Sequence, residues 1–244
     1  MTTILTDFAK LDPYLDGNSF SSDLVTRYAR SGKIRYRNDI LVEACAGKNV
    51  LHIGCCDHVP LIARKWQQHE WLHRQLTTVA GSVLGVDIDQ AAVDETRRIT
   101  GLRNLVAGDI TSGEVIDAIA ERYFDIALFG EVVEHIGDPV RFLKTFLSTY
   151  QRNVRDVIIT VPNAFRAGNV KSIFANREVI NSDHRFFFTP YTICKVACDA
   201  GIAPSSIQMA SFSRQGALKK LITSRWPLLA ENIVLMGKPA QRSD

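Results

Sequence analysis

Glu131, Glu134 and His135 stand at i, i+3 and i+4, the spacing that gathers three side chains on one face of a helical turn. Asp183 and His184 stand side by side further along. An imidazole changes protonation near neutral pH. Either His135 or His184 therefore suits a general base that takes a proton from a hydroxyl nucleophile, an effect worth ~10²–10⁴-fold in rate. Glu134 joins them as a candidate catalytic group. The two carboxylates also suit orienting a substrate or capping the helix that follows, and His135 also suits simple packing that pins the turn. Together Glu131, Glu134, His135 and His184 offer two carboxylates and two imidazoles, a set able to hold a divalent ion. A site without metal is the favoured reading of these four.

A second constellation surrounds Asn49 to His58, N-V-L-H-I-G-C-C-D-H. The apolar run Val50 to Ile53 stops at Gly54, the pattern of a buried strand ending in a turn. Gly54 has no Cβ, which lets the backbone adopt unusual dihedrals and come close to a ligand. Asp87 closes the second strand, where an acid can accept both hydroxyls of a ribose. Asp109 follows the third strand and can accept from an adenine amino group, with Ile88 and Ile110 flanking an apolar slot for the ring. The turn has one glycine, not the G-x-G-x-x-G that a dinucleotide pyrophosphate needs, and no G-K-[ST] occurs. Ribose and adenine without phosphate point to S-adenosyl-L-methionine (SAM). A nicotinamide oxidoreductase is disfavoured on the same ground.

These residues need a scaffold that brings strand ends together. Strands are expected at 50–53, 82–87, 104–107, 124–130, 154–161, 206–211 and 232–236. Helices are expected at 18–32, 34–45, 61–79, 90–99 opened by Asp89, 112–122, from Asp138-Pro139 onward, 190–200 and 215–224. Residues 163–188 read as irregular. The alternation predicts an α/β fold: a doubly wound, seven-stranded, mainly parallel Rossmann-like sheet with helices on both faces and one antiparallel strand near its end. Residues 47–240 would form the SAM-binding domain. Residues 1–46 would be a helical extension, a lid in which Tyr14, Phe20 and Tyr28 are candidate substrate contacts or plain packing.

Length and composition fit this plan. The 244 residues are 46% hydrophobic, enough for one large core, and the net charge of +3 is spread without a basic stripe. A nucleic-acid partner is therefore not expected. The mildly basic stretch Arg166 to Arg177, with Phe165 and Phe174, suits a phosphate or sugar nucleotide as readily as RNA. No apolar run approaches a membrane span. The N-terminus lacks the regions of a signal peptide, and five cysteines, an odd number, suit a reduced compartment. A cytoplasmic location is expected. Cys194 and Cys198 lack a matching second pair and read as small buried residues.

With these motifs in place, the chain resembles the class I SAM-dependent methyltransferases over residues 34 to 240. The first motif, typically V-L-D-I-G-C-G-x-G, here reads V-L-H-I-G-C-C-D-H, so His52, Cys56 and His58 depart from it. The departures resemble a subset with V-L-H-x-G-C-x-D-H, then W-L-H (Trp71 to His73), G-V-D-I-D (Gly85 to Asp89), E-x-x-E-H, and D-H-x-x-x-[FY]-[ST] (Asp183 to Thr189). Members of that subset accompany glycan or secondary-metabolite biosynthesis. The resemblance implies that Gly54 and Cys55 hold the methionine moiety, with Asp57 and His58 at the same end. It implies further that Asp87 binds ribose, that Asp109 and Ile110 bind adenine, and that Gly130 and Glu131 line the sulfonium side. His52, which replaces the family's acid, is included with the cofactor residues. His73 is expected to pack. The E-x-x-E-H and D-H pair also resembles the metal-dependent methyltransferases of small-RNA terminal ribose. The ubiquinone O-methyltransferases have a similar E-V-V-E-H-x-x-D-P, here Glu131 to Pro139.

The expected activity is methyl transfer to an oxygen of a small hydroxylated acceptor, a glycan, glycolipid or secondary metabolite. Two alternatives stand beside it: metal-assisted ribose 2′-O-methylation of RNA, and a non-catalytic SAM-binding subunit that supports a partner.

Overall fold

The computed structural model describes residues 8–29, 33–214 and 216–240. The first half of the described chain runs α1 (Asp12–Leu15), β1 (Arg35–Tyr36), α2 (Arg37–Cys45), β2 (Asn49–Ile53), α3 (Val59–Gln67), α4 (Leu72–Thr77), β3 (Ser82–Asp87), α5 (Gln90–Thr100) and β4 (Leu105–Ala107). The second half runs α6 (Asp117–Ala120), β5 (Phe124–Gly130), α7 (Pro139–Tyr150), β6 (Val154–Pro162), α8 (Ala167–Phe174), α9 (Pro190–Asp199), β7 (Ile202–Ser211), α10 (Ala217–Arg225) and β8 (Asn232–Pro239).

The strands form one eight-stranded sheet in the order β1-β7-β8-β6-β5-β2-β3-β4. Only β8 runs against its neighbours, β6 and β7. This is the single antiparallel strand expected near the C-terminus. The eighth strand is β1, in which Arg35 and Tyr36 pair with Ala210 and Ser211. Two residues are too few to show an alternating pattern, so the run reads as part of a helix.

Period-two alternation divides the central strands between two cores. Leu51, Ile53, Ala127, Phe129, Val157 and Ile159 face one, and Val50, Ile126, Leu128 and Ile158 face the other. Helices cover both sides, so the strands are apolar throughout rather than half polar. The helix signals act locally as expected. The Asp89 carboxylate accepts from the Ala91 and Ala92 N–H groups at 2.9 and 3.1 Å, and Gly101 ends α5 in the left-handed conformation. The Asp138 carboxylate accepts from the Arg141 N–H at 3.0 Å, with Pro139 in the first turn of α7.

Several expected boundaries move. No helix begins at Asn18 or Ser19: the described chain from 19 to 29 is irregular, and Phe20 is 90% exposed. Phe20, Leu24 and Tyr28 do recur four apart, and Leu24 and Tyr28 pack on the core, but in irregular chain rather than in a helix. The end of that expected helix, residues 30–32, lies outside the described residues, as does Gln215 at the start of the last one. Residues 61–79 split into α3 and α4 at a break where His69 takes a positive φ of 58°. Residues 112–122 shrink to α6 because Gly113 turns left-handed. The segment 163–188 contains α8. No helix among the described residues is long and apolar enough to cross a membrane, and all five cysteines are free.

Candidate functional site

The winding reverses at β2, whose neighbours β3 and β5 lead away to opposite edges of the sheet. A crevice of about 750 Å³ opens there, at the carboxyl ends of the strands. Gly54 sits on its floor with φ +65°, and a Cβ there would stand 2.4 Å from Val132 Cγ2. The turn is held from β3. One oxygen of Asp87 accepts from the Cys56 N–H at 2.9 Å and the other from the Asp89 N–H at 3.1 Å. Burial pushes the Asp87 carboxyl above its ordinary range, with these two N–H donors pulling the other way. Trp71 ties the same turn from beneath, its indole N–H donating to the Cys55 carbonyl at 2.9 Å.

Gly54, Cys55, Asp57, His58, Asp87, Ile88, Gly130 and Glu131 all line the crevice, as does His52 at its floor. Asp57 is ion-paired with Lys65 and accepts from the His58 N–H at 2.9 Å. Ile88 is 69% exposed on the wall. Asp109 and Ile110 are not part of the lining. The Asp109 carboxylate accepts from the N–H and hydroxyl of Thr111 at 2.7 and 2.6 Å, closing its own turn, and Ile110 is buried in the main core. The turn chemistry of D-x-T won over the expected reach toward the ring. No residue of 8–29 lines the crevice, so Tyr14 and Phe20 stand away from it, and Tyr28 packs on the core.

The E-x-x-E-H stretch does not present a single face. Glu131 takes a left-handed φ of 59°, and Val133–His135 is a 3₁₀ turn. Glu131 therefore swings toward β8 and β6. Its carboxylate accepts from Asn232 Nδ2 at 3.1 Å and Thr160 Oγ1 at 3.0 Å and pairs with Arg37 at 3.3 Å. Glu134 turns inward with a side chain that is 0% exposed, and neither of its oxygens has a hydrogen-bond partner among the described residues. Burial, and then the neighbouring Glu131 charge, push its carboxyl up to about 9.

His135 and His184 meet edge to face, ring centroids 4.6 Å apart at 90°. His184 Nε2 lies 4.0 Å from Glu134 Oε1. The backbone brings them together: the Arg185 N–H donates to the Glu134 carbonyl at 2.8 Å and the His184 N–H to the Asn181 carbonyl at 3.0 Å. Burial, then His135, hold the His184 imidazolium below its ordinary range. Asp183 faces His58, Oδ2 to Nε2 at 3.8 Å. One ligand atom from each of Glu134, His135 and His184 lies within 4.8 Å of the others. Of the four residues considered for a metal, Glu131 is the one drawn off.

His52 and His73 are a buried pair, 3% and 0% exposed, with Nδ1 atoms 3.2 Å apart. Arg37, Phe212 and Asn232 also line the crevice, and sequence reading missed them. The Arg37 guanidinium stacks 5.1 Å from the centroid of the Phe212 ring. No motif marks them, since they meet only through the β1–β7–β8 edge.

The sheet order, with its one reversed strand and its crevice at the glycine turn, defines a Rossmann-like methyltransferase fold. Residues 67–152, from the end of α3 into the loop after α7, match the methyltransferase domain family, whose cofactor is SAM. The chain is similar in fold to the small RNA methyltransferase HEN1, with 15% identity and a TM-score of 0.58 over 92% of this chain. It spans 27% of the length of that protein. It is also similar to a SAM-dependent methyltransferase from Clostridium acetobutylicum, with 14% identity and a TM-score of 0.54, over 96% of this chain and 98% of that one. YcgJ of Bacillus subtilis matches with 13% identity and a TM-score of 0.52, over 84% and 98%. Comparison with curated proteins gives no match. The crevice suits SAM: its single-glycine turn lets the backbone approach a ligand, and an acid closes the adjoining strand.

Proposed function

We propose that the chain transfers a methyl group from SAM to an oxygen of a small hydroxylated acceptor, such as a glycan, glycolipid or secondary metabolite. The observation that carries this reading is the His135–His184 pair, two imidazoles in contact on the crevice wall beside the end of β5. Gly54, Cys55, Asp57 and His58 hold the methionine end, Asp87 the ribose and Ile88 one face of the adenine. Gly130 lines the sulfonium side. Asp109 and Ile110 support the adenine slot only from behind the lining.

When bound, SAM supplies a methyl carbon whose leaving group is a neutral thioether. The acceptor oxygen forms the new C–O bond as the S–C bond breaks, and the hydroxyl proton goes to a ring nitrogen of His184 or His135. The lowered His184 keeps it neutral at pH 7 and ready to accept. Alignment supplies much of the remaining rate. The test is an acceptor survey with methyl-labelled SAM. Label should enter hydroxyl acceptors, and His135→Ala and His184→Ala should each slow transfer by about 10²-fold or more while binding of S-adenosylhomocysteine (SAH) persists. SAH binding without turnover on any acceptor, with both variants altering only the affinity for a partner, would instead mark a non-catalytic SAM-binding subunit.

A second reading is favoured by the unpartnered Glu134 carboxylate beside two imidazoles and by the fold likeness to a small-RNA methyltransferase. In it Glu134, His135 and His184 hold a divalent ion that orients a ribose hydroxyl of RNA. Ligation requires an ionised Glu134. Turnover on RNA that depends on added Mg²⁺ or Mn²⁺ and vanishes with chelator would select this reading.

A further inference from the structure

The buried imidazole pair has its proton positions set from outside the crevice. Asn104 Nδ2 lies 3.0 Å from the Val83 carbonyl and 3.3 Å from His73 Nε2. A backbone carbonyl only accepts, so the amide must turn its NH₂ toward it. The second amide hydrogen then points at His73 Nε2, which accepts. A neutral His73 consequently carries its proton on Nδ1. That atom stands 3.2 Å from His52 Nδ1, which must accept in turn. A neutral His52 is left with its proton on Nε2. This nitrogen lies on the Gly130 side of the ring, 3.5 Å from where a Gly130 Cβ would be, and both residues line the crevice.

We propose that Asn104, His73 and His52 form a tautomer relay that presents the His52 Nε2–H to the crevice as a fixed donor to a carboxylate, that of the cofactor's methionine end. Asn104 and His73 are positioning residues, since neither lines the crevice. The identity of the acceptor rests on the SAM reading above, whereas the proton positions do not. Both rings stay uncharged for a physical reason: burial lowers His73 to about 4, and burial, His73 and Arg37 hold His52 well below its ordinary range. The relay inverts the polarity of the position. A carboxylate there would accept from the ligand's ammonium group, whereas His52 donates. The packing is close enough to keep the register, because a Cβ on Gly85 would lie 2.7 Å from His73 Cε1 and from Cys55 Sγ.

The experiment is long-range ¹H–¹⁵N correlation on the full chain labelled with ¹⁵N-histidine, run free and with SAH, alongside SAH calorimetry. His73 should show the Nδ1–H tautomer and His52 the Nε2–H tautomer at pH 7. Asn104→Ala should mix the two tautomers and weaken SAH by about fivefold or more, although residue 104 does not touch the crevice. A proton on His52 Nδ1, an imidazolium at either ring at pH 7, or tautomers and affinity unmoved by Asn104→Ala would overturn the relay. If wild-type protein shows the expected tautomers but binds no SAH, the relay stands and the cofactor reading falls.

Discussion

Asp87 accepts two backbone N–H groups, one from the turn after β2 and one from the start of the β3–α5 loop. Each oxygen keeps a further lone pair for a ligand hydroxyl. Asp87→Ala should therefore lose SAH affinity by about 10–100-fold, with Asp87→Asn intermediate, since hydrogen bonds to a charged group are worth ~1.5–3 kcal/mol. Calorimetry that finds unchanged affinity removes the ribose assignment. Glu134 gives a prediction of opposite kind. Its carboxyl is raised to about 9, so the folded chain holds a proton that the unfolded chain releases above its ordinary value near 4.5. The stability tied to that proton is complete below about 4.5 and is lost as pH rises toward 9. Glu134→Gln should remove this slope and raise stability at pH 8, on the order of 1–3 kcal/mol. Chemical denaturation at pH 5 and pH 8 reads it directly. Saturating Mg²⁺ or Mn²⁺ that stabilises the wild type but not the variant would show an ionised, ligating Glu134 instead. At this scale much of the site could be read in one dimension: Gly54, Asp87, His135 and His184 do meet at one crevice. Asp109 lies outside the lining because its carboxylate is taken up locally by the Thr111 N–H and hydroxyl. Arg37 and Asn232 could not be found at all, because only tertiary pairing brings them to Glu131.

Elements place these residues through their ends. The strands were legible because continuous apolar runs bounded by Gly, Asp or Pro leave little choice of structure, and the expected ends of β2, β3 and β5 match the observed ones. Capped helices were legible for the same reason, at Asp89 and Asp138. The misjudged stretches differ in cause: β1 is too short for a period, 112–122 hides a left-handed glycine, and 18–29 spaces Phe20, Leu24 and Tyr28 four apart yet leaves Phe20 exposed and forms no helix. The β2 turn tests the logic of element ends. Gly54→Ala faces two obstacles, a left-handed φ and a contact with Val132. The φ cost is about 1–2 kcal/mol and the contact adds to it. SAH affinity should fall by about tenfold or more in Gly54→Ala, since the displaced turn carries the Cys56 N–H that Asp87 holds. Adding Val132→Ala should recover part of the loss, the part due to the contact. Full recovery would mean that the backbone conformation is not what the turn requires.

At the scale of the molecule the crevice and the N-terminal segment are separate structures on one sheet. Leu15 is fully buried and Leu11 nearly so, both in the core that α9 also faces, and Lys195 on α9 donates to the Leu15 carbonyl at 2.6 Å. None of residues 8–29 reaches the lining. The segment thus packs on α9 and the core, away from the crevice lining. Truncating a fully buried leucine costs ~2–5 kcal/mol. In a chain of this size each kcal/mol moves the melting temperature by ~2–4 °C, so Leu15→Ala should melt about 5–15 °C lower. Its SAH affinity at 20 °C should nevertheless equal that of the wild type, because Leu15 does not line the crevice. Scanning calorimetry and SAH titration on the same sample separate the two quantities. A loss of affinity that tracks the loss of stability would instead couple the segment to the crevice and restore it as a lid over the site.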